Sequence, residues 1–454
     1  LTDYPAILDG RVKTLHPKIF GGLLAKREEA HLEQLLEFEI PTIDCVIVDL
    51  YPFEKTVAKS NDEKEIIEKI DIGGVSLIRA AAKNCTDVVV VASKMQYPFF
   101  EQLLLEKQAF TDLEDRKKLA RWAFQVTSHY DTAIFQYFDR DNYGEPFFKQ
   151  SFQTSHLLRY GENPHQKAIF FGDFNAVFNK ISGKEISYNN LVDIDAALAL
   201  IIEFENDDPT FAVLKHTNAC GVATRKTVNE AWKTALQSDP ISAFGGIIIC
   251  NTIIDKTTAL EISTLFYEVL IAKDFTDEAI TILTAKKQRT LLKIKQFYSP
   301  TKTFRSLLNG VIQQESDHTM RNFTEWELKT KQSSLKTELE DLFFANKCVK
   351  HLKSNAIALI KNKQLIGMGC GQTSRIDALH LAIAKAKNHG FNLQGAVLAS
   401  DAFFPFADCV EIAHKVGINS IVQPGGSVKD QDSIDYCNNN GVEMYFTNTR
   451  HFKH

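Results

Sequence analysis

Residues 212–223 read "AVLKHTNACGVA", an apolar run that ends in Lys215 and His216. A histidine is neutral near pH 7 and takes a proton from an amine nucleophile. A neighbouring ammonium lowers its pKa and keeps it neutral. The same lysine can support a developing oxyanion. Successive strand residues face opposite sides, so both reach one ligand only where the strand ends or twists. Gly221 is the residue expected to provide that turn. The competing explanation is a satisfied core histidine, the commoner fate of a lone His on an apolar strand.

Other stretches carry chemistry at lower specificity. "DGRVKTLHPKIFGG" (9–22) sets Arg11, Lys13, His16 and Lys18 between glycines, and Arg11 and Lys13 share a face if the segment is extended. That face suits a phosphate, with a planar fork beside a point charge; a solvated basic loop fits equally. Tyr51 in "DLYPF" falls at the carboxyl end of an apolar strand, where α/β sheets bind ligands. "DIGGVSLIRAAAKN" (71–84) gives Asp71, a Gly-Gly helix start and a helix ending at Lys83. Such a start offers N–H groups to an anion or is a plain cap. "LRYGENPHQKA" (158–168) packs Arg159, Tyr160, Asn163, His165 and Gln166 into one short polar segment. Nearer the C-terminus lie Asn355, Gln372, Arg375, Asp401, Phe403 and Asp408. Phe403 and Phe404 read as an aromatic slot for a flat heterocycle or as a core wedge. The basic end "NTRHFKH", with Arg450 and His454, reads on its own as a solvated tail.

The elements that must position these groups alternate. Apolar runs at 45–50, 87–93, 211–216, 245–250, 355–360, 395–400 and 420–426 predict strands. Stretches 119–138, 193–206, 375–390 and 408–418 have helical spacing. The alternation predicts α/β architecture, with strands this apolar covered on both faces. The polar stretch 139–158 follows a long helix and marks a domain boundary, giving domains 1–145 and 146–454. Residues 284–342 lack clear periodicity and read as an excursion or a connection between two halves of the second domain.

The totals exclude several classes. The chain has 454 residues, 44% of them hydrophobic and 24% charged, in the range of multi-domain globular proteins. The net charge of -5 argues against nucleic acid as partner, so an anionic ligand needs local basic groups. No apolar run reaches the ~20 residues of a membrane span, and the start "LTDYPAILDG" has no signal-peptide pattern. The eight cysteines form no C-x-x-C pair, which argues against zinc and fits buried free thiols in a reducing, cytoplasmic setting.

Taken together, "ILDGRVKTLHP", "LYPF", "DIGGVSLIRAAAKN", "LRYGENPHQ", "SYNNLVDIDAALAL", "LKHTNACG", "DPISAFGG", "SNAIAL", "GCGQTSRIDA", "SDAFFPFADCVEIA" and "QPGGSVKDQDSIDYCN" with "TRHFKH" resemble, in order and over the whole chain, one family. It is the bifunctional family of 5-aminoimidazole-4-carboxamide ribonucleotide (AICAR) formyltransferase and inosine monophosphate (IMP) cyclohydrolase. The resemblance implies formyl transfer from 10-formyltetrahydrofolate to AICAR by the C-terminal domain, then closure of formyl-AICAR to IMP by the N-terminal one. It implies that His216 is the base, that Lys215 supports the oxyanion and the leaving folate, and that Asn355 holds the formyl group. Arg159, Tyr160, Arg450, Asn190 and Gly245 would contact the nucleotide, and Phe403, Asp408 and Arg375 the folate side. Lys13, Tyr51, Asp71 and Lys83 match the cyclohydrolase cluster, and Arg11 and Thr14 its nucleotide contacts. The implied fold is a methylglyoxal-synthase-like (Rossmann-like) domain followed by two cytidine-deaminase-like α/β halves without zinc. The implied assembly is a homodimer with transferase sites at the subunit interface.

Two departures from the pattern stand out. The family starts roughly 50 residues earlier, with a Ser-rich phosphate loop and a Ser-Gly-Gly-Thr turn. The expectation is therefore an N-terminally truncated cyclohydrolase domain, without its first strands and main phosphate cradle, whose cyclising step is impaired. Ala219 also stands where the family commonly has proline. Two rival readings remain: a zinc nucleobase deaminase, and a nucleotide-binding chain without chemistry, the latter applying chiefly to the N-terminal half.

Overall fold

The computed structural model describes residues 2, 4–140, 144–331 and 336–454. They form two compact units, Leu1–Thr154 and Ser155–His454. The polar segment after the long helix belongs to the first unit. It folds back on Leu113–Asp139, with Gln136 Nε2 donating to Lys149 O at 3.1 Å and His129 Nδ1 lying 2.9 Å from Ser151 Oγ.

In the first unit, strands β1 (Cys45–Ile47) and β2 (Val89–Val91) pair in parallel. Helices Gly73–Lys83 and Leu113–Asp139 supply Ile78, Ala81, Leu119 and Ala123 to the core over β2. The β2 strand is buried throughout, as its unbroken apolar run requires. β1 is not: Cys45 and Ile47 are exposed and only Val46 is buried, so coverage on both faces fails there.

The second unit opens with a small hairpin, β3 (Ser155–Leu157) and β4 (Ile169–Phe171). Two six-stranded sheets follow. The first contains β5 (Phe178–Ser182), β6 (Thr210–Lys215), β7 (Asn218–Thr224), β8 (Ile247–Ile254), β9 (Val269–Phe275) and β10 (Thr290–Ile294), in spatial order β5-β10-β9-β8-β6-β7. An exposed hairpin, β11 (Lys302–Leu307) and β12 (Gly310–Glu315), intervenes. The second sheet contains β13 (Glu327–Leu328), β14 (Ile357–Ile360), β15 (Leu365–Gly369), β16 (Val397–Ser400), β17 (Ser420–Gln423) and β18 (Glu443–Phe446), in order β13-β18-β17-β16-β14-β15.

The two orders are the same when strands are matched in sequence. Each sheet has three parallel central strands, an antiparallel edge strand on one side and an antiparallel hairpin on the other. Each hairpin is preceded by a 15-residue helix, Tyr188–Ile202 or Lys336–Lys350, and followed by a helix of 11 or 14 residues, Val228–Ser238 or Arg375–Asn388. One core cluster joins residues of both sheets, among them Leu214, Ile249, Ala358 and Val422. The 284–342 region therefore holds β10, an excursion at β11–β12, and the β13 edge that begins the second sheet.

Several predicted bounds shift. The helix expected over 193–206 ends at Ile202, and that expected over 408–418 ends at Lys415. No helix among the described residues is long and apolar enough to cross a membrane.

Candidate active site

The β6–β7 hairpin closes on two residues, His216 and Thr217, with Lys215 paired to Asn218. Their φ angles are 52° and 66°. Positive φ at both central positions is the signature of a type I′ turn, whose twist matches paired strands and which ordinarily uses Asn-Gly. A bulky and a β-branched residue hold that conformation here at some cost. The turn is thus not where the sequence put it. Gly221 lies inside β7, and a Cβ there would fall 2.1 Å from Ala235 O of the following helix. It is a packing glycine. What ends β6 is the two-residue turn, and a register shift between Val213 and Leu214 adds a bulge beside it.

Lys215 is half-buried, and its Nζ donates to Phe244 O at 2.7 Å. Gly245 follows with a φ of 71°, and its N–H donates to Phe266 O at 2.8 Å. Lys215 and Gly245 thus come together. His216 is exposed, and its carbonyl accepts from Asn218 Nδ2 at 2.9 Å. Asn218 Oδ1 accepts from Lys353 N at 3.1 Å, which ties the hairpin to the loop carrying Asn355.

Asn355 follows a cis peptide bond after Ser354. Its Nδ2 donates to Gln372 O at 2.9 Å. The loop is fixed from below by Asp401, fully buried, which accepts from Ser354 Oγ at 2.5 Å and Ala356 N at 3.0 Å and pairs with Arg375. Arg375 also donates to Ala356 O at 3.0 Å. Arg375, expected on the folate side, is 6% exposed, and its Nη1 bonds to the loop and Asp401. The C-terminal residues are not a solvated tail. His451 is buried with Nδ1 2.6 Å from Asp317 Oδ2, and Lys453 and Ser354 exchange backbone and hydroxyl hydrogen bonds at 2.9 and 3.0 Å. Burial pushes the Lys453 ammonium below its ordinary pKa; Asp195 opposes that shift and Lys353 adds to it. Arg450 itself is exposed and stacks on Phe452, its guanidinium 4.5 Å from the ring centre.

The 158–168 segment is the connection of the β3–β4 hairpin. Arg159 Nη2 donates to Tyr160 OH at 2.7 Å, and Asn189 Nδ2 donates to Glu162 O at 3.1 Å. The second contact docks the segment on the start of helix 188–202, where Asn190 accepts from the capping Ser187 hydroxyl at 3.0 Å. Phe404 is a core wedge, while Phe403 is half-buried, so the paired slot does not form. Asp408 begins helix Asp408–Lys415.

In the first unit, several expected residues gather around 68–74. Asp71 Oδ1 accepts from Gly74 N at 2.6 Å, capping helix 73–83 itself. Asp71 N donates to Tyr130 OH at 2.9 Å, and that hydroxyl donates to Lys69 O at 2.7 Å. The Lys69 ammonium lies 5.7 Å from the Tyr51 ring centre. Arg11 is held by Glu68 through paired hydrogen bonds. Thr14 Oγ1 sits where a Cβ on Gly73 would be 2.9 Å away. Lys13 lies between Arg11 and Thr14 in the chain and is exposed. Lys83 does not join the group. It ends the helix that Gly73 begins, about 15 Å away at 1.5 Å rise per residue.

Asp193, Asp401, Lys353, His451 and Lys453 are the site-forming residues that sequence reasoning left without a role. Asp193 is hidden in a helical pattern, and the others have partners distant in sequence. A cleft of about 330 Å³ lies elsewhere, lined by Asp207, Asp208, Phe343 and Lys347 among others. Its charges are matched within the protein, Lys347 to Asp207 at 2.8 Å, Lys363 to Glu340 at 2.9 Å and Asp208 to Lys226 at 2.7 Å. Cys220, Cys250, Cys409 and Cys437 are buried free thiols, pushed up to about 12 chiefly by burial. Among the described residues no group of three or more His, Cys, Asp or Glu side chains could hold a metal ion.

Residues 81–385 match the family described as AICARFT/IMPCHase bienzyme. A bifunctional purine biosynthesis protein PurH from Bacteroides thetaiotaomicron is 57% identical over 456 residues, spanning 100% of this chain and 89% of that protein. Proteins of the same name from Acetivibrio thermocellus and Ruminiclostridium cellulolyticum are 47% and 45% identical, each spanning 100% of this chain and 90% of the relative. A crystal structure of ForH is 31% identical, covering 32% of this chain and 74% of that one, with a TM-score of 0.28.

Proposed function

The chain belongs to the AICARFT/IMPCHase bienzyme family, and from that premise we propose that it transfers a formyl group from 10-formyltetrahydrofolate to the 5-amino group of AICAR and closes the product to IMP. It is an enzyme of de novo purine biosynthesis. The second unit carries the transfer and the first the ring closure. The enzyme works in the cytoplasm as a homodimer.

The AICAR amine is a weak nucleophile, because its lone pair is shared with the imidazole. Attack on the formyl carbon requires removal of a proton as the new C–N bond forms. His216, exposed at the turn, is the base. The formyl oxygen gains charge in the tetrahedral intermediate, and the Lys215 ammonium opposes it, then supports departure of the folate nitrogen. Asn355 holds the formyl group, on a loop joined to the His216 hairpin through Asn218 and Lys353. Arg159, Tyr160, Asn190, Gly245 and Arg450 hold the nucleotide, and Phe403 and Asp408 the folate. In the first unit Lys13, Tyr51 and Asp71 move protons and support the oxyanion as the amide nitrogen attacks the formyl carbon, while Arg11 and Thr14 bind the phosphate side.

The observation that carries this reading is the Lys215–His216–Thr217–Asn218 hairpin end, where a cation and an exposed imidazole meet the Asn355 loop. Incubation with AICAR and 10-formyltetrahydrofolate, with and without an added intact cyclohydrolase, tests it by product mass. Formyl-AICAR or IMP is the expected product. Loss of both on His216→Ala, by a factor of about 10² to 10⁴, supports the base assignment. Product formed at an unchanged rate by His216→Ala refutes it. IMP formed without the helper shows the first unit active. Formyl-AICAR that accumulates until the helper is added favours the alternative of a transferase with a non-catalytic first unit.

A further inference from the structure

The turn that carries His216 is unfavourable for its residues, yet no glycine relieves it. What holds it is Asp193, on helix 188–202, whose Oδ1 accepts from Thr217 N at 2.7 Å. Burial pushes the Asp193 carboxyl up, and hydrogen bonds from the Thr217 and His216 backbone and the charges of His216 and Lys353 oppose that shift. The carboxylate thus lies under the turn and holds the backbone that aims the imidazole.

The second half of the unit repeats the device. Asn362 and Lys363, each with a φ of 52°, close the β14–β15 hairpin. Asp341, on the equivalent helix 336–350, accepts from Asn362 N at 2.6 Å and from Lys363 N at 2.7 Å. Two hairpins of different sequence thus have the same left-handed turn and the same carboxylate clamp. Only one presents a Lys-His pair. The repetition shows that a helix aspartate beneath the turn is how this fold fixes a two-residue hairpin end without Asn-Gly.

We propose that Asp193 is a positioning residue for formyl transfer, clamping the His216–Thr217 turn so that the imidazole meets the substrate amine. This rests on the transferase reading above. It assigns no proton transfer to Asp193, and the work it does is geometric. A misplacement of about 1 Å at a reacting group costs on the order of 100-fold in rate, which sets the expected scale.

The test compares four variants with the full-length wild type in formyl transfer, reading kcat, the KM for AICAR and the melting temperature. Asp193→Ala is expected to lower kcat on the order of 100-fold with little change in KM. Asp193→Asn retains an oxygen that accepts the same bond and is expected to keep most of the rate. Thr217→Gly added to Asp193→Ala is expected to recover much of the loss, because glycine adopts the left-handed turn without help. Asp341→Ala removes the equivalent bond far from the chemistry and is expected to lower the melting temperature while leaving kcat unchanged. An unchanged kcat in Asp193→Ala overturns the proposal. So does Asp193→Asn falling as far as Asp193→Ala, which would mark the charge as the active property, or an equal kcat loss in Asp341→Ala, which would mark a global effect. A wild type without formyl transfer would instead sink the transferase reading itself.

Discussion

Asp401→Ala is the substitution for which the structure gives the most definite consequence. The carboxylate is fully buried and serves three partners: Arg375, the Ser354 hydroxyl at 2.5 Å and Ala356 N at 3.0 Å. Removing it leaves an almost fully buried guanidinium without its counter-ion. Breaking one side of a buried pair costs about 3–5 kcal/mol, more than the pair itself contributes, because an uncompensated charge stays behind. The second unit has about 300 residues, so at ~2.1 cal/mol/K per residue its unfolding entropy is ~0.6 kcal/mol/K. A loss of about 4 kcal/mol then lowers its melting temperature by about 6 °C. Formyl transfer should fall too, since Ser354 and Ala356 flank Asn355. Calorimetry on wild type, Asp401→Ala and the double variant Arg375→Met/Asp401→Leu decides the matter. The double variant removes both charges and should be the more stable of the two. A melting temperature for Asp401→Ala within 2 °C of wild type, or a double variant no better than the single, would falsify the account of this pair.

Three further outcomes concern one buried pair and two glycines. Burial holds His351 neutral, with its pKa down to about 4 from an ordinary 6.5; burial alone would raise Glu203, but the His351 and Lys350 contacts outweigh it and take it to about 2 from 4.5. Both folded values are depressed, so the unfolded chain binds more protons, and stability is lost as pH falls, from 6.5 to 4 for His351 and from 4.5 to 2 for Glu203, at up to ~3 kcal/mol each and not additively. Melting temperature measured from pH 7 to pH 4 should therefore drop more steeply in wild type than in His351→Gln. Gly369→Ala should destabilise by about 3 kcal/mol or prevent folding, because its Cβ would lie 1.9 Å from Ala378 O. Gly371→Ala, left-handed at a φ of 66° but in open space, should cost only about 1–2 kcal/mol in a denaturant titration.

Much of this architecture was legible because apolar runs of strand length are hard to mistake. The runs at 45–50, 87–93 and 211–216 each became strands. Lys215 and His216 stand out by residue type, and the family resemblance supplies the roles expected of them. Their placement was not legible. Turn rules assign two-residue hairpins to Asn-Gly, so a His-Thr turn has no local signal, and the nearest glycine was credited with a role that belongs to packing against Ala235. Arg375 carries a folate-side expectation from the family resemblance, and its buried pairing has no signal in the sequence. Its partner Asp401 is 26 residues away, and no periodicity links the two. The C-terminal "NTRHFKH" failed in the same way: its order comes from Asp317, Ser354 and Asp401, none of them local.

The two copies of the hairpin differ in what their ends contact. Both turns are clamped from below by a helix aspartate, so both offer a rigid, left-handed hairpin end. The second is used up as a joint. Lys363 O accepts from Thr224 N at 3.1 Å, Asn362 O accepts from Arg225 Nη1 at 2.7 Å, and Gln364 bridges Ala223 while its Nε2 donates to Thr234 O at 2.9 Å. Each of those contacts reaches the first half, so that turn is spent on holding the two sheets together. The first turn reaches the second half through Asn218, whose Oδ1 accepts from Lys353 N at 3.1 Å. Its backbone is fixed by Asp193 and Asn218, and its side chain at His216 is left exposed. A rigid backbone under a free imidazole is what a general base needs. In this fold the second hairpin end forms a joint to the first half through Asn362, Lys363 and Gln364, and the first leaves His216 exposed.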